Sequence, residues 1–266
     1  MIRESLAKRE SEVQNGFRLR GLKDVSRIEA LSDGVFAFAI TLLVVSLEVP
    51  RTFNDLLVMM RGFLAFAITF AMLFHVWFVQ YKFFRRYGLA DNFTIWMTAL
   101  LLFVVLFYVY PLKFVWTLMI NVALGFGATV TTAAGQTEPV VRASQMPLLL
   151  AVYGLGFAAV FAIFSLMYWH AHHQRRALEL NELETFDTRT LMHENALMAA
   201  VGLLSVGLAL SGTVISSLLA GLTYWLIGPV MYLHGSARGR RRKRLEQNLA
   251  DAVPSPLPAP ADTKVF

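Results

Sequence analysis

Between Gly34 and Pro50 the chain runs for seventeen residues with a single charge, Glu48. Further apolar runs follow at 56–79, 93–110, 146–168, 196–210 and 213–233. Runs of this kind constrain a fold more than any short motif. The hydrocarbon core of a bilayer, about 30 Å thick, takes roughly 20 residues of helix, and backbone groups left unpaired there are too costly to keep. The 266 residues are 56 % hydrophobic and only 16 % charged, which predicts an all-α integral membrane protein with six transmembrane helices and no large soluble domain.

Taken in order, residues 1–26 form a polar, partly helical arm, and 27–235 carry the spans. Pro50 stops the first span. A short turn then leads into a second, 56–79, interrupted by Arg61 and His75. The 80–92 segment is too polar to cross. After Pro111 the apolar character resumes over 114–126, too few residues for a crossing of its own, so a long kinked third helix or an interfacial extension is expected. Residues 129–145 read as a loop of small polar residues. Tyr168 and Trp169, at the end of the fourth span, suit a membrane boundary. Residues 170–195 are strongly charged, with leucines at 178, 180, 183 and 191, and read as an amphipathic helix or loop. The fifth and sixth spans are joined through Ser211 and Gly212, which makes them a tight hairpin. Residues 236–266 hold the basic block RGRRRKR and a proline-rich tail.

Charge sets the expected orientation. Placing the N-terminus, the 80–92 loop, the 170–194 loop and the C-terminus on the cytoplasmic side collects twenty of the 24 Lys and Arg residues, leaving Arg51, Arg61, Lys113 and Arg142 elsewhere. Both termini are therefore expected in the cytoplasm. The net charge of +6 sits mostly at the chain ends, where anionic membrane lipids and the positive-inside rule account for it, so no nucleic-acid partner is expected. The N-terminus lacks the apolar core and cleavage site of a signal peptide, and without cysteine there are no disulfides and no thiol chemistry.

Enzymatic chemistry at membrane depth needs a carboxylate pair, a nucleophile with its base, or a metal-ligand cluster. The spans offer Asp33, Glu48 and His75, with no second acid at helical spacing, and no phosphate-binding glycine loop occurs. His170, His172 and His173 lie beside Arg175 and Arg176 at a span boundary and read as a solvated segment rather than a metal site. The chain is thus not expected to be an enzyme or to carry a metal or cofactor.

Within the first span Phe38, Thr41, Leu42, Val45 and Glu48 recur at three- and four-residue steps and share one face. Repeated around an axis they would stack into rings, apolar ones able to exclude water and an acidic one able to concentrate cations. Taken alone, such a stripe reads first as ordinary helix packing. Just before it stand Arg27, Ser32 and Asp33. Asp33 reads either as a helix-start carboxylate with Ser32 as cap or as part of a polar network with Arg27, six residues away, that a third group must bridge.

The run Arg27-x-x-x-Leu31-Ser32-Asp33-Gly34, followed by VFAFAITLLV, resembles the signature of the transmembrane-protein-175 potassium channel family. The resemblance extends over the whole six-span unit. It implies a homotetramer in the prokaryotic plasma membrane, with four first helices around a pore for potassium ions and no selectivity-filter loop. Carried onto this chain, it implies an apolar constriction at Phe38, a selectivity-linked hydroxyl at Thr41 and further pore layers at Leu42 and Val45. Arg27, Ser32 and Asp33 would fasten the helix to a tryptophan and a histidine of a neighbouring one. The chain departs from the pattern in places. Leu31 replaces a phenylalanine and Phe38 a smaller aliphatic residue; Trp77 supplies the tryptophan, but Gln80 stands where the histidine is expected, with His75 nearby. The alternatives outside this family are a small-solute transporter and a non-conducting membrane scaffold.

Overall fold

The computed structural model describes residues 13–14, 17–21, 25–45, 49–125, 127–131, 136–211 and 214–251. The first membrane-capable helix, α1 (Arg27–Val45), begins where Ser26 and Glu29 satisfy each other's free backbone N–H groups, at 3.2 and 3.3 Å. The cap is therefore Ser26, and Ser32 and Asp33 sit inside the helix, in its second turn. The expected second span is divided. A short helix α2 (Phe53–Arg61), opened by a Thr52–Asp55 capping box, breaks at Gly62, and α3 (Phe63–Tyr87) continues. Glycine is a poor helix former and yields at such a junction. Gly88 ends α3 in the left-handed region (φ 59°), where a side chain would also lie 3.2 Å from the Arg20 backbone, so two constraints select glycine there.

The third span and the apolar run after it form one helix, α4 (Asn92–Ala123), with Pro111 inside. At 1.5 Å per residue it is about 48 Å long, more than the hydrocarbon needs. A small antiparallel hairpin follows, Thr129–Thr131 paired with Thr137–Pro139, and a single 3₁₀ turn (Ala143–Gln145) leads into α5 (Met146–His173).

The charged segment expected to lie apart from the spans is instead mostly the first half of one. Asn181 and Glu184 form a capping box, and α6 (Glu182–Leu210) runs unbroken into the apolar stretch. Its polar residues are tolerated because each inward-facing one is met. Glu184 pairs with Arg20 at 2.7 Å, the Thr188 hydroxyl lies 2.8 Å from that of Tyr87, and Asn195 donates to the Leu191 carbonyl. The last span is α7 (Val214–Leu222), a 3₁₀ turn (Thr223–Leu226) and α8 (Ile227–Asp251), which carries the basic block in continuous helix past Gly235. The proline-rich tail lies outside the described residues.

The described residues thus hold six helical segments long and apolar enough to cross a membrane. α5 and α6 form the most extensive pair, brought close by Gly154 and Gly202: a Cβ on Gly202 would stand 2.9 Å from the Gly154 carbonyl oxygen. The main core joins α1, α3, α4 and α5 around Phe36, Leu43, Phe83, Leu101, Phe164 and Tyr168. Tyr168 is buried inside the bundle, whereas its neighbour Trp169 is about half exposed.

A hairpin of the N-terminal arm, Val13–Gln14 with Phe17–Arg18, closes one end of this bundle. Phe17 is buried edge-on against Tyr87 and beneath the Arg86 guanidinium. Gly21 donates to the Arg85 carbonyl, and Arg20 reaches the Leu178 carbonyl at 2.7 Å. The same end gathers the polar ties between helices, including Arg242 to Asp187 and His170 to Asp91.

Candidate functional site

α1 has two faces. Ser32, Phe36, Ala39 and Leu43, spaced four, three and four residues apart, are buried against α3 and α4. Across the helix, Leu31, Phe38, Thr41 and Val45 are exposed, Phe38 by 58 % and Val45 by 71 %, and Leu42 is half-buried at the margin of that stripe. Glu48 lies outside the described residues. The Thr41 hydroxyl donates back to the Ala37 carbonyl at 2.8 Å, so its oxygen lone pairs are left free on the exposed face.

The buried face is fastened at its start by a polar collar. The Trp77 indole N–H donates to Asp33 Oδ1 at 2.8 Å, and the Gln80 amide donates to the Ser32 hydroxyl at 3.2 Å. Ser32 in turn donates to the Ile28 carbonyl at 2.7 Å. Trp77 and Gln80 are three residues apart on α3 and so present side by side to the adjacent pair on α1. The Trp77 ring is held between Phe74 and Tyr81, with centroids 5.2 and 5.6 Å away. Behind the collar is a small pocket of about 110 Å³, lined among others by Glu29, Gln80 and Arg85, and the buried Gln80 Oε1 has no partner among the described residues.

Ser32, Asp33 and Trp77 therefore meet, and Arg27 and His75 do not join them. Arg27 is exposed at the first turn of α1 and makes no hydrogen bond or ion pair among the described residues. His75 is exposed on α3 and lines a different, apolar cavity of about 320 Å³ between α3, α4 and α5. Gln80 stood out in the sequence only as a departure from a family pattern. The signal for its role was its three-residue spacing from Trp77.

The loop between α3 and α4 is tied to α5 through Asp91. Its carboxylate accepts from Thr94 at 2.6 Å and Gln174 at 3.3 Å and lies 2.6 Å from His170 Nε2. Burial works to raise its pKa, but the hydrogen bonds from Thr94 and His170 and the His170 charge outweigh burial and hold it below the usual carboxylate value.

Six membrane-capable helices, the first of them collared by polar side chains and bare along one apolar stripe, define an integral membrane protein that exposes that stripe. The family described as endosomal/lysosomal potassium channel TMEM175 matches residues 27–108, the stretch holding collar and stripe. A potassium channel of Marivirga tractuosa is 40 % identical over 235 residues, covering 87 % of this chain and 94 % of that protein. A potassium channel of Chamaesiphon minutus is 35 % identical over 96 residues, 33 % of this chain and 47 % of its own length. The crystal structure of a threonine-to-alanine variant of the potassium channel MtTMEM175, in complex with a nanobody–MBP fusion protein, superposes with a TM-score of 0.74 at 39 % identity, over 86 % of this chain and 99 % of that one. The chain belongs to the TMEM175 potassium channel family.

Proposed function

We propose that the protein is a potassium-selective channel in which four copies of the chain surround a central pore lined by α1. The observation that carries this reading is the division of α1 into a buried, hydrogen-bonded face and a bare stripe of Phe38, Thr41 and Val45, with Leu42 at its edge. In a membrane helix, a face kept free of its own subunit while the other is fastened by polar bonds is suited to an axis shared by several copies. Phe38 would form the narrowest ring and act as a hydrophobic constriction, Thr41 would offer its hydroxyl oxygen to a partly dehydrated ion, and Leu42 and Val45 would add apolar layers. Glu48 would stand at the mouth and draw in cations. Ser32, Asp33 and Trp77 would hold the helix in register, with Arg27 and His75 free to act across copies. Potassium is the permeant species, and no cofactor is required. The excess of Lys and Arg at the end that holds the arm and the C-terminal half of α8 would place that end in the cytoplasm.

The test is ion flux from liposomes that contain the purified protein. Potassium efflux should exceed sodium efflux, and Phe38→Ala should raise it by widening the constriction. Absence of flux from both forms, with the oligomer intact by cross-linking, would refute the channel reading in favour of a scaffold or solute carrier.

A further inference from the structure

The turn between α5 and α6 and the adjacent flank of α8 enclose an open cleft of about 510 Å³, outside the proposed conduction path. Arg175 and Arg176 enter it from the turn, Arg189 from two turns inside α6, and Leu245 of α8 closes one side. We propose that this cleft binds a phosphate-bearing anion.

The state of the surrounding arginines carries the inference. Arg20 is matched by Glu184, Arg242 by Asp187 and Glu246, and Arg238 rests on His193 and the Phe186 ring. Arg175, Arg176 and Arg189 form no ion pair among the described residues, although two carboxylates share their cleft. Glu179 faces Arg18 instead, at 3.9 Å, and Glu182 forms no ion pair among the described residues. Three guanidiniums against two carboxylates leave the concavity with one positive charge in excess, and none of the three is ion-paired among the described residues. Their planar forks fit phosphate oxygens, which offer more acceptors and more charge than one carboxylate. His172 lines the same cleft, and its buried Nδ1 has no partner among the described residues. Beside Leu245, Arg241, Lys243 and Arg244 add positive potential without lining the cleft. The volume exceeds that of a single phosphate and leaves room for the group carrying it. A lipid headgroup at the membrane edge and a soluble phosphorylated molecule share this chemistry.

The test uses the full chain and thermal unfolding, with inorganic pyrophosphate added in detergent and, separately, in nanodiscs of phosphatidylcholine with or without phosphatidylglycerol. Sodium chloride at matched ionic strength is the control. A saturable rise in Tm is expected with at least one phosphate source. A response confined to phosphatidylglycerol assigns a headgroup, and a response to pyrophosphate in detergent assigns a soluble ligand. Replacing Arg176 and Arg189 together by Gln should weaken the apparent affinity by about tenfold or more, the equivalent of about 1.4 kcal/mol, whereas Arg241→Gln with Arg244→Gln, which removes the same charge without touching the cleft lining, should weaken it far less. Both cleft side chains are exposed, so the single variants fold and carry the test if the double variant aggregates. No saturable rise with either source, or one undiminished by loss of Arg176 and Arg189, overturns the proposal.

Discussion

Asp33 takes its partner from 44 residues away, and that bond separates the side chains that fasten α1 from those that only neighbour it. Trp77→Phe keeps the ring between Phe74 and Tyr81 and removes the indole donor. The pair is open to solvent on one side, so the expected loss is about 1 kcal/mol, read as a lowered Tm. Gln80 behaves differently. Gln80→Met removes the donor to Ser32 but also the buried Oε1, which has no partner among the described residues, and Ser32 keeps its bond to the Ile28 carbonyl. Those effects oppose each other, and Gln80→Met should lie within about 1 kcal/mol of the parent in the same measurement. A larger loss from Gln80→Met than from Trp77→Phe would contradict this assignment of roles. In the sequence Trp77 could be picked out as a family tryptophan, but Gln80 could not be assigned a bond, because its partner lies on another helix.

Element boundaries followed local chemistry that was partly readable in the chain. Ser26-x-x-Glu29, Thr52-x-x-Asp55 and Asn181-x-x-Glu184 all act as reciprocal caps, and the third of these turns a charged segment into the start of a long helix. Composition alone argued the other way, because buried Glu184 and Thr188 look unsuited to a packed helix until Arg20 and Tyr87 are in place. Helix approach was less visible still. A Cβ on Gly156 would run into the Tyr108 ring, which cannot swing away because its hydroxyl donates to the Tyr153 carbonyl at 2.7 Å and its ring packs on Tyr153. Gly156→Ala should therefore cost about 1–3 kcal/mol through overpacking between α4 and α5. A Cβ on Gly207 of α6 would meet nothing within 4 Å, and Gly207→Ala, measured in parallel, should not destabilise.

At the scale of the molecule, one end of the bundle is locked by groups drawn from every part of the chain. Arg20 of the arm meets the almost fully buried Glu184 of α6, so Arg20→Met leaves that carboxylate with only the Arg18 and Asn181 backbone N–H groups and should cost about 3 kcal/mol by chemical unfolding. Adding Glu184→Met should recover part of that loss, since the charge without its cation goes with it while the Arg18 and Asn181 N–H groups lose their acceptor. The Asp91 tie at the same end adds a pH dependence. Its carboxyl is held below the usual value in the folded protein, so it releases its proton more readily there than in the unfolded chain. That contribution is full above the unfolded value, about pH 4, and disappears as pH falls through the folded one. Asp91→Asn should therefore lower Tm at pH 7 and flatten its fall on acidification, and equal acid slopes for parent and variant would exclude this linkage.

By itself the sequence determined that the chain crosses a membrane six times and belongs with potassium channels. Apolar runs are set by bilayer thickness, and the signature from Arg27 to Gly34 is a local pattern, so both are written in consecutive residues. It also placed Phe38, Thr41 and Val45 on one face, because helical periodicity is local. Only the tertiary structure decided which face of α1 is buried, that Gln80 rather than His75 meets Ser32, and that the arm closes on α6 through Arg20. Each of those contacts joins residues far apart in the chain, and its geometry exists only after the helices have packed.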